Sequence, residues 1–142
     1  MGTVYFTQAQ QATRLKHFNV VKGIALQGYD PVAYFTQGKA VKGSKQWIAN
    51  AEGIVYQFAS QANRDLFLKN YKAYEPQYGG WCAYAMGDSG EKVTIDPETF
   101  KIVDGKLYLF YHSWTNNTLT KWNKDEGKLK ANANKNWQAV FH

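Results

Sequence analysis

Asp104-Gly105 stands between two β-rich runs, residues 99–103 and 106–111. A two-residue Asp-Gly step tolerates positive φ and matches the twist of a tight antiparallel hairpin. It therefore commits this part of the chain to two locally joined strands. Asn50-Ala51-Glu52-Gly53 marks a second hairpin, between the strand-like residues 45–49 and 54–58. Helical signals lie between and after these hairpins. Ser60 is placed to cap a helix reaching about Tyr71, with Asn63, Phe67 and Tyr71 four apart on one face and Leu66 beside them. Asp30-Pro31 opens a short helix over 32–37 that Gly38 stops. The aspartate accepts from free amides, and proline at the first helical position gives up no bond. Residues 81–86 form an apolar run that predicts a helix. Residues 115–125 and 126–141 predict two more, with Leu119, Trp122, Leu129 and Trp137 inward and a break at Gly127. Residues 7–17 predict a short polar helix and 19–27 a β-branched strand. Hairpins and helices in separate runs specify an α+β fold, a single small domain of short antiparallel hairpins packed with several helices. One core containing Phe67, Tyr108 and Trp122 is expected.

At 142 residues the chain suits one domain and can bury a core without disulfides or metal. Its 44% hydrophobic and 16% aromatic content is that of a globular chain. No window approaches the roughly 18 consecutive apolar residues of a membrane span. Cys82 is the only cysteine, which excludes an intramolecular disulfide. The formal charge of +6 comes from fifteen lysines and only two arginines, Arg14 and Arg64, against eleven acids. Base and phosphate reading favours the planar arginine fork, so nucleic acid is a disfavoured partner. Lys121, Lys124, Lys128 and Lys135, interleaved with Trp122 and Trp137, read as a solvated face; the alternative is a basic nucleic-acid or membrane-surface module. Met1-Gly2-Thr3 runs into mixed residues without an apolar signal core, and Phe6 stands where a myristoylation motif needs Ser or Thr.

Several short motifs occur in one order: Gly28-Tyr29-Asp30-Pro31-Val32-Ala33-Tyr34-Phe35, Tyr56-Gln57-Phe58-Ala59-Ser60, Asn63-Arg64, Tyr74 with Pro76, Tyr78-Gly79-Gly80-Trp81-Cys82-Ala83, Asp96-Pro97, and Asp104-Gly105-Lys106-Leu107-Tyr108-Leu109. Together they resemble the full-length YHS-domain family of small bacterial proteins. The resemblance covers about Gly23 to Trp137. It implies a YHS-like domain over 23–142 with residues 1–22 as an N-terminal extension. It also implies a periplasmic or secreted chain if an export signal has been removed, and a cytoplasmic one otherwise. Short YHS domains point to metal handling, with copper the implied metal. The chain departs from the metal-binding pattern, because Gln57, Ala59 and Ala62 occupy its histidine and cysteine positions. An alanine or a neutral amide does not replace a thiolate or imidazole ligand.

The chemistry that remains gathers around Cys82. Cys82 and Met86 lie four apart, which on a helix puts both sulfurs on one face, a soft pair suited to Cu(I). His112 supplies an imidazole if the second hairpin packs beside that helix. Core packing is the alternative for this Cys–Met pair. Asp30, Tyr34, Tyr78, Trp81 and Tyr84 are candidates to line a pocket for a flat small molecule, although Asp30 also reads as a helix cap. The sequence thus favours a non-enzymatic protein that binds a small molecule or a soft metal near Cys82. The rival reading is an enzyme with Cys82 as nucleophile and His112 as base, oriented by Asp30 or Asp96.

Overall fold

The computed structural model describes residues 7–141, so the readings at Met1-Gly2-Thr3 and Phe6 lie outside the described residues. Thr7 opens the first helix, α1 (Gln8–His17), with a capping box. Its hydroxyl accepts from the Gln10 N–H at 3.1 Å, and the Gln10 side chain accepts from the Thr7 N–H at 2.7 Å. The predicted strand at 19–27 is instead a minimal hairpin followed by a turn. β1 (Val20–Val21) and β2 (Ile24–Ala25) pair across Lys22-Gly23, where φ is 54° and 81°. Both turn residues are left-handed, as a two-residue primed turn requires. Leu26, Gln27 and Gly28 then continue with φ of 57°, 54° and 84°, a left-handed turn that ends the strand.

α2 (Ala33–Thr36) is one turn long, with Val32 at its cap position and Asp30 Oδ1 accepting the Val32 and Ala33 N–H groups. β3 (Ser44–Ala51) and β4 (Ile54–Phe58) form the expected hairpin, with Asn50 Oδ1 accepting the Gly53 N–H at 2.9 Å. β2 joins β4 in parallel through Ile24 and Val55, completing a four-stranded sheet of order β1-β2-β4-β3. α3 (Gln61–Lys69) begins where Ser60 Oγ accepts the Asn63 N–H at 3.1 Å. Asn63 and Phe67 are buried, and Leu66 is exposed.

The helix expected at 81–86 starts later, as α4 (Ala83–Asp88). Tyr78, Gly79 and Gly80 form a second left-handed run, with φ of 59°, 61° and 86°, and Trp81 leaves it extended. The chain cannot turn helical until that run has ended. A Cβ on Gly79 would lie 2.8 Å from Trp137, so only glycine admits the close approach seen there.

β5 (Asp96–Val103) and β6 (Lys106–Phe110) close on Asp104-Gly105 as the turn chemistry demands. A two-residue ladder follows, β7 (His112–Ser113) with β8 (Asn116–Asn117), and leaves Trp114 fully exposed at its tip. That ladder displaces the start of the predicted 115–125 helix to α5 (Thr118–Lys124), capped by Asn117 Oδ1 on the Leu119 N–H. The break before α6 (Glu126–Phe141) falls at Asp125, with φ of −152°, and Gly127 sits inside the helix.

The single expected core is two adjoining clusters. Ile54, Tyr56, Phe58, Phe67, Leu107 and Leu109 belong to one, beneath the four-stranded sheet. Tyr108, Phe110, Trp122, Leu129 and Ala133 belong to the other, beneath the C-terminal helices. Alternate residues of β6 feed opposite clusters, so this strand is buried on both faces, while its partner β5 is partly exposed. Tyr84 packs against both clusters. Phe67 is therefore separated from Tyr108 and Trp122 by the ribbon, within one small α+β domain. Among the described residues no helix is long and apolar enough to cross a membrane.

Candidate functional site

Asp30 is fully buried, and its carboxylate accepts four N–H groups. Oδ1 takes those of Val32 at 2.8 Å and Ala33 at 3.3 Å. Oδ2 takes the Ala59 amide and Asn63 Nδ2, both at 2.8 Å. The residue ties the start of α2 to the start of α3, and every oxygen is used. Tyr34 is equally committed. Its hydroxyl donates to the Pro97 carbonyl at 2.7 Å, its ring meets Phe100 edge-on at 4.8 Å, and burial pushes its ionisation well upward. Tyr78 donates to Asn134 Oδ1 at 2.8 Å, and Trp81 Nε1 donates to the His17 carbonyl at 2.6 Å. Tyr84 is half-buried, with the Lys121 ammonium 5.8 Å from its ring centre. These five residues do not converge on one pocket; each anchors a different junction of the fold.

The proposed metal set separates in the same way. Cys82 is the cap residue of α4: its carbonyl accepts the Met86 N–H at 3.1 Å, but its ψ of 119° is not helical, so its sulfur does not share a helix face with Met86. Cys82 is buried in the sheet-side cluster and Met86 in the helix-side cluster. The Cys82 sulfur accepts the Tyr111 N–H at 3.2 Å and lies 3.5 Å from Thr118 Oγ1. The His112 imidazole turns elsewhere: Nδ1 is 2.9 Å from Thr99 Oγ1, which donates to Asp96 Oδ2 at 2.9 Å. Of the two carboxylates named beside His112 from sequence, Asp96 lies near it, with Oδ2 3.8 Å from Nδ1, while Asp30 is engaged by Val32, Ala33, Ala59 and Asn63. Among the described residues no three of His, Cys, Asp and Glu gather closely enough to hold a metal ion. The residues present do not fit copper at Cys82, because Met86 lies in the other cluster and His112 is bonded to Thr99, so neither proposed co-ligand stands beside the sulfur.

A second buried carboxylate went unnoticed in the sequence. Glu75 accepts Arg14 through both oxygens, at 3.0 and 2.8 Å, and the Tyr56 hydroxyl at 2.7 Å. Arg14 also donates to the Ala51 and Glu52 carbonyls and lies 4.5 Å over the Phe18 ring. This set fastens α1, within the 1–22 segment, to the sheet. Burial pushes the Glu75 carboxyl upward, against the opposing pull of Arg14 and Tyr56.

Open surface lies on the other side of the sheet. The register places Val21, Ile24, Val55 and Asn50 in one row across the strands and Gln57 with Ile48 in the next. Val21 is 54% and Ile48 49% exposed. A groove of about 490 Å³ runs over this face, lined by Val21, Lys22, Ile24, Gln27, Gly28, Lys45 and Gln57. It is roomier than the grooves beside Glu75 and Trp137, about 190 Å³, and beside Tyr84 and Lys121, about 300 Å³. Its volume falls in the range of about 300–1,000 Å³ typical of small-molecule sites. Strained backbone borders it. Lys22 and Gln27 are left-handed without being glycine, at roughly 1 kcal/mol each. Gly28 lets the chain pass over Gln57, since a Cβ there would stand 2.9 Å from Gln57 Oε1. Gln27 is pinned by its amide to the Ile95 carbonyl at 2.9 Å. Sequence reasoning weighed Gln57 only as a missing ligand and passed over the rest. The available signal was aliphatic residues on both alternations of the strands, where a one-sided sheet shows polar residues on its outer alternation.

No protein-family model, no characterised protein and no solved structure matches the chain.

Proposed function

We propose that the chain is a non-enzymatic binding protein whose ligand is a small, largely apolar molecule lying on the outer face of the four-stranded sheet. The class, a non-enzymatic binder, is the one the sequence favoured, whereas the resemblance to YHS-domain proteins points to a metal. The place differs from the neighbourhood of Cys82. One observation carries the reading: an aliphatic sheet face is left uncovered and is framed by backbone held in left-handed conformations that local chemistry disfavours. Strain of that kind, beside a groove with an apolar floor, is the pattern of a built site rather than of an ordinary solvated surface. The rival cysteine-dependent enzyme finds less support, because Cys82 is wholly buried and His112 bonds to Thr99. A titration with the neutral fluorophore N-phenylnaphthylamine tests the proposal. Saturable fluorescence gain is expected, lost in the Val21→Ser, Ile24→Ser double variant and retained in Leu68→Ser, which alters an exposed leucine on α3. Equal gain in all three proteins would place the binding elsewhere.

A further inference from the structure

The rim of the groove is as unusual as its floor. Lys22 occupies the first position of the β1–β2 turn with φ of 54°, where Asn, Asp or Gly is the favoured residue. Lys45 sits where β3 loses register with β4: Ser44 pairs with Phe58 and Ile48 with Gln57, so three residues of β3 bulge out against none of its partner. Bulges re-aim side chains and occur beside functional sites. Two separate irregularities of the backbone thus deliver two ammonium groups to one groove, whose lining contains no carboxylate. Neither lysine makes an ion pair among the described residues. The Gln57 amide, with no hydrogen-bond partner among the described residues, lies in the same lining.

We propose that the ligand of this groove is an anionic amphiphile. Its hydrocarbon or aryl part covers Val21 and Ile24, and its carboxylate, sulfonate or phosphate head is held by Lys22 and Lys45 with Gln57 as an added donor. The inference rests on the binding function proposed above and adds the charge and polarity of the ligand. Positive charge on two sides of an apolar floor matches an anion joined to an apolar body, and it disfavours a cationic or purely hydrocarbon guest.

A matched pair of probes tests this on the full chain. Anilinonaphthalene sulfonate and N-phenylnaphthylamine share the same aryl body, and only the first carries an anion. The sulfonate is expected to bind more tightly, and its affinity to fall with added salt. Lys22→Asn and Lys45→Gln are each expected to weaken the sulfonate about fivefold, the upper range for an exposed charge pair, and to weaken the neutral probe much less. Lys22→Asn also separates lost binding from lost folding. It creates an Asn-Gly turn suited to positive φ, so its melting temperature stays level or rises while sulfonate affinity falls. Equal affinity for both probes, or sulfonate binding indifferent to both lysine changes, overturns the anionic ligand and leaves the apolar site standing. Failure of both probes overturns the site itself. Sedimentation as a dimer without probe binding assigns the face to a second copy of the chain and overturns both.

Discussion

The two faces of the four-stranded sheet are made from the same strands and both carry apolar side chains, yet they do opposite things. The inner face carries Ala25, Ala49, Ala51, Ile54, Tyr56 and Phe58, all buried, and the last three fully so. α2, α3 and the β5–β6 ribbon seal it, and Asp30 and Glu75 lock its borders with hydrogen bonds that leave no spare acceptor. The outer face carries Val21, Ile24, Ile48 and Val55, partly or largely exposed, with Gln57 and two lysines around them. The hydrophobic effect acts equally on both sets of side chains. What differs is whether another element has been brought over them. Stability should therefore live on the inner face and binding on the outer.

The comparison is most exposed at Asp30. Asp30→Asn turns one acceptor oxygen into a donor facing buried N–H groups, and a loss of about 3–5 kcal/mol is expected in urea unfolding. A loss below about 1 kcal/mol would show that these bonds do not hold the inner border. Phe58→Ala comes next, at about 3–4 kcal/mol for a ring removed from a sealed core, with probe binding reduced only as far as the folded fraction falls.

Alkali should strike the buried core as well. Tyr34, Tyr56 and Tyr78 have their ionisation pushed above the ordinary value of 10.0, chiefly by burial. Unfolded tyrosines ionise near pH 10 while the folded ones keep their protons. The stability these groups contribute is thus complete below that pH and lost as pH rises past it. Urea midpoints measured from about pH 9 to 11 should fall, and less steeply in Tyr56→Phe. A flat profile would mean that the three hydroxyls reach solvent.

Cys82→Ser should cost about 1–2 kcal/mol, because a more polar atom enters a buried site with one amide donor. It should leave probe affinity unchanged. Weakened binding in that variant would move the ligand site back toward α4. The smallest effect belongs to the outer face. Val21→Ser should change stability by less than about 1 kcal/mol while weakening the neutral probe. A cost like that of Phe58→Ala would erase the distinction between the faces.

Much of the fold was legible because its signals are local. Asp104-Gly105 requires a hairpin wherever it stands between strands, and Ser60 caps α3 with a bond three residues long. Asp30 was readable as a cap for the same reason. Its further bonds to Ala59 and Asn63 were not, since they join parts of the chain that only folding brings together. The set Cys82, Met86 and His112 looked coherent in sequence because helical spacing was assumed from residue 81. Two left-handed residues more at 79 and 80 would not have altered any composition, yet with Tyr78 they delay the helix and send the sulfurs into different clusters.

The α+β class, the positions of both main hairpins and the capping roles of Ser60 and Asp30 were set by the sequence, since turn chemistry, capping and periodicity act over a few residues. The tertiary structure alone decided which side of the sheet was closed. A period of two says that Val55 and Gln57 share a face and Ile54, Tyr56 and Phe58 the other, but it does not say where α2, α3 and the ribbon will dock. Only their docking on one side turned one alternation into core and left the other, with Lys22 and Lys45 beside it, as a groove.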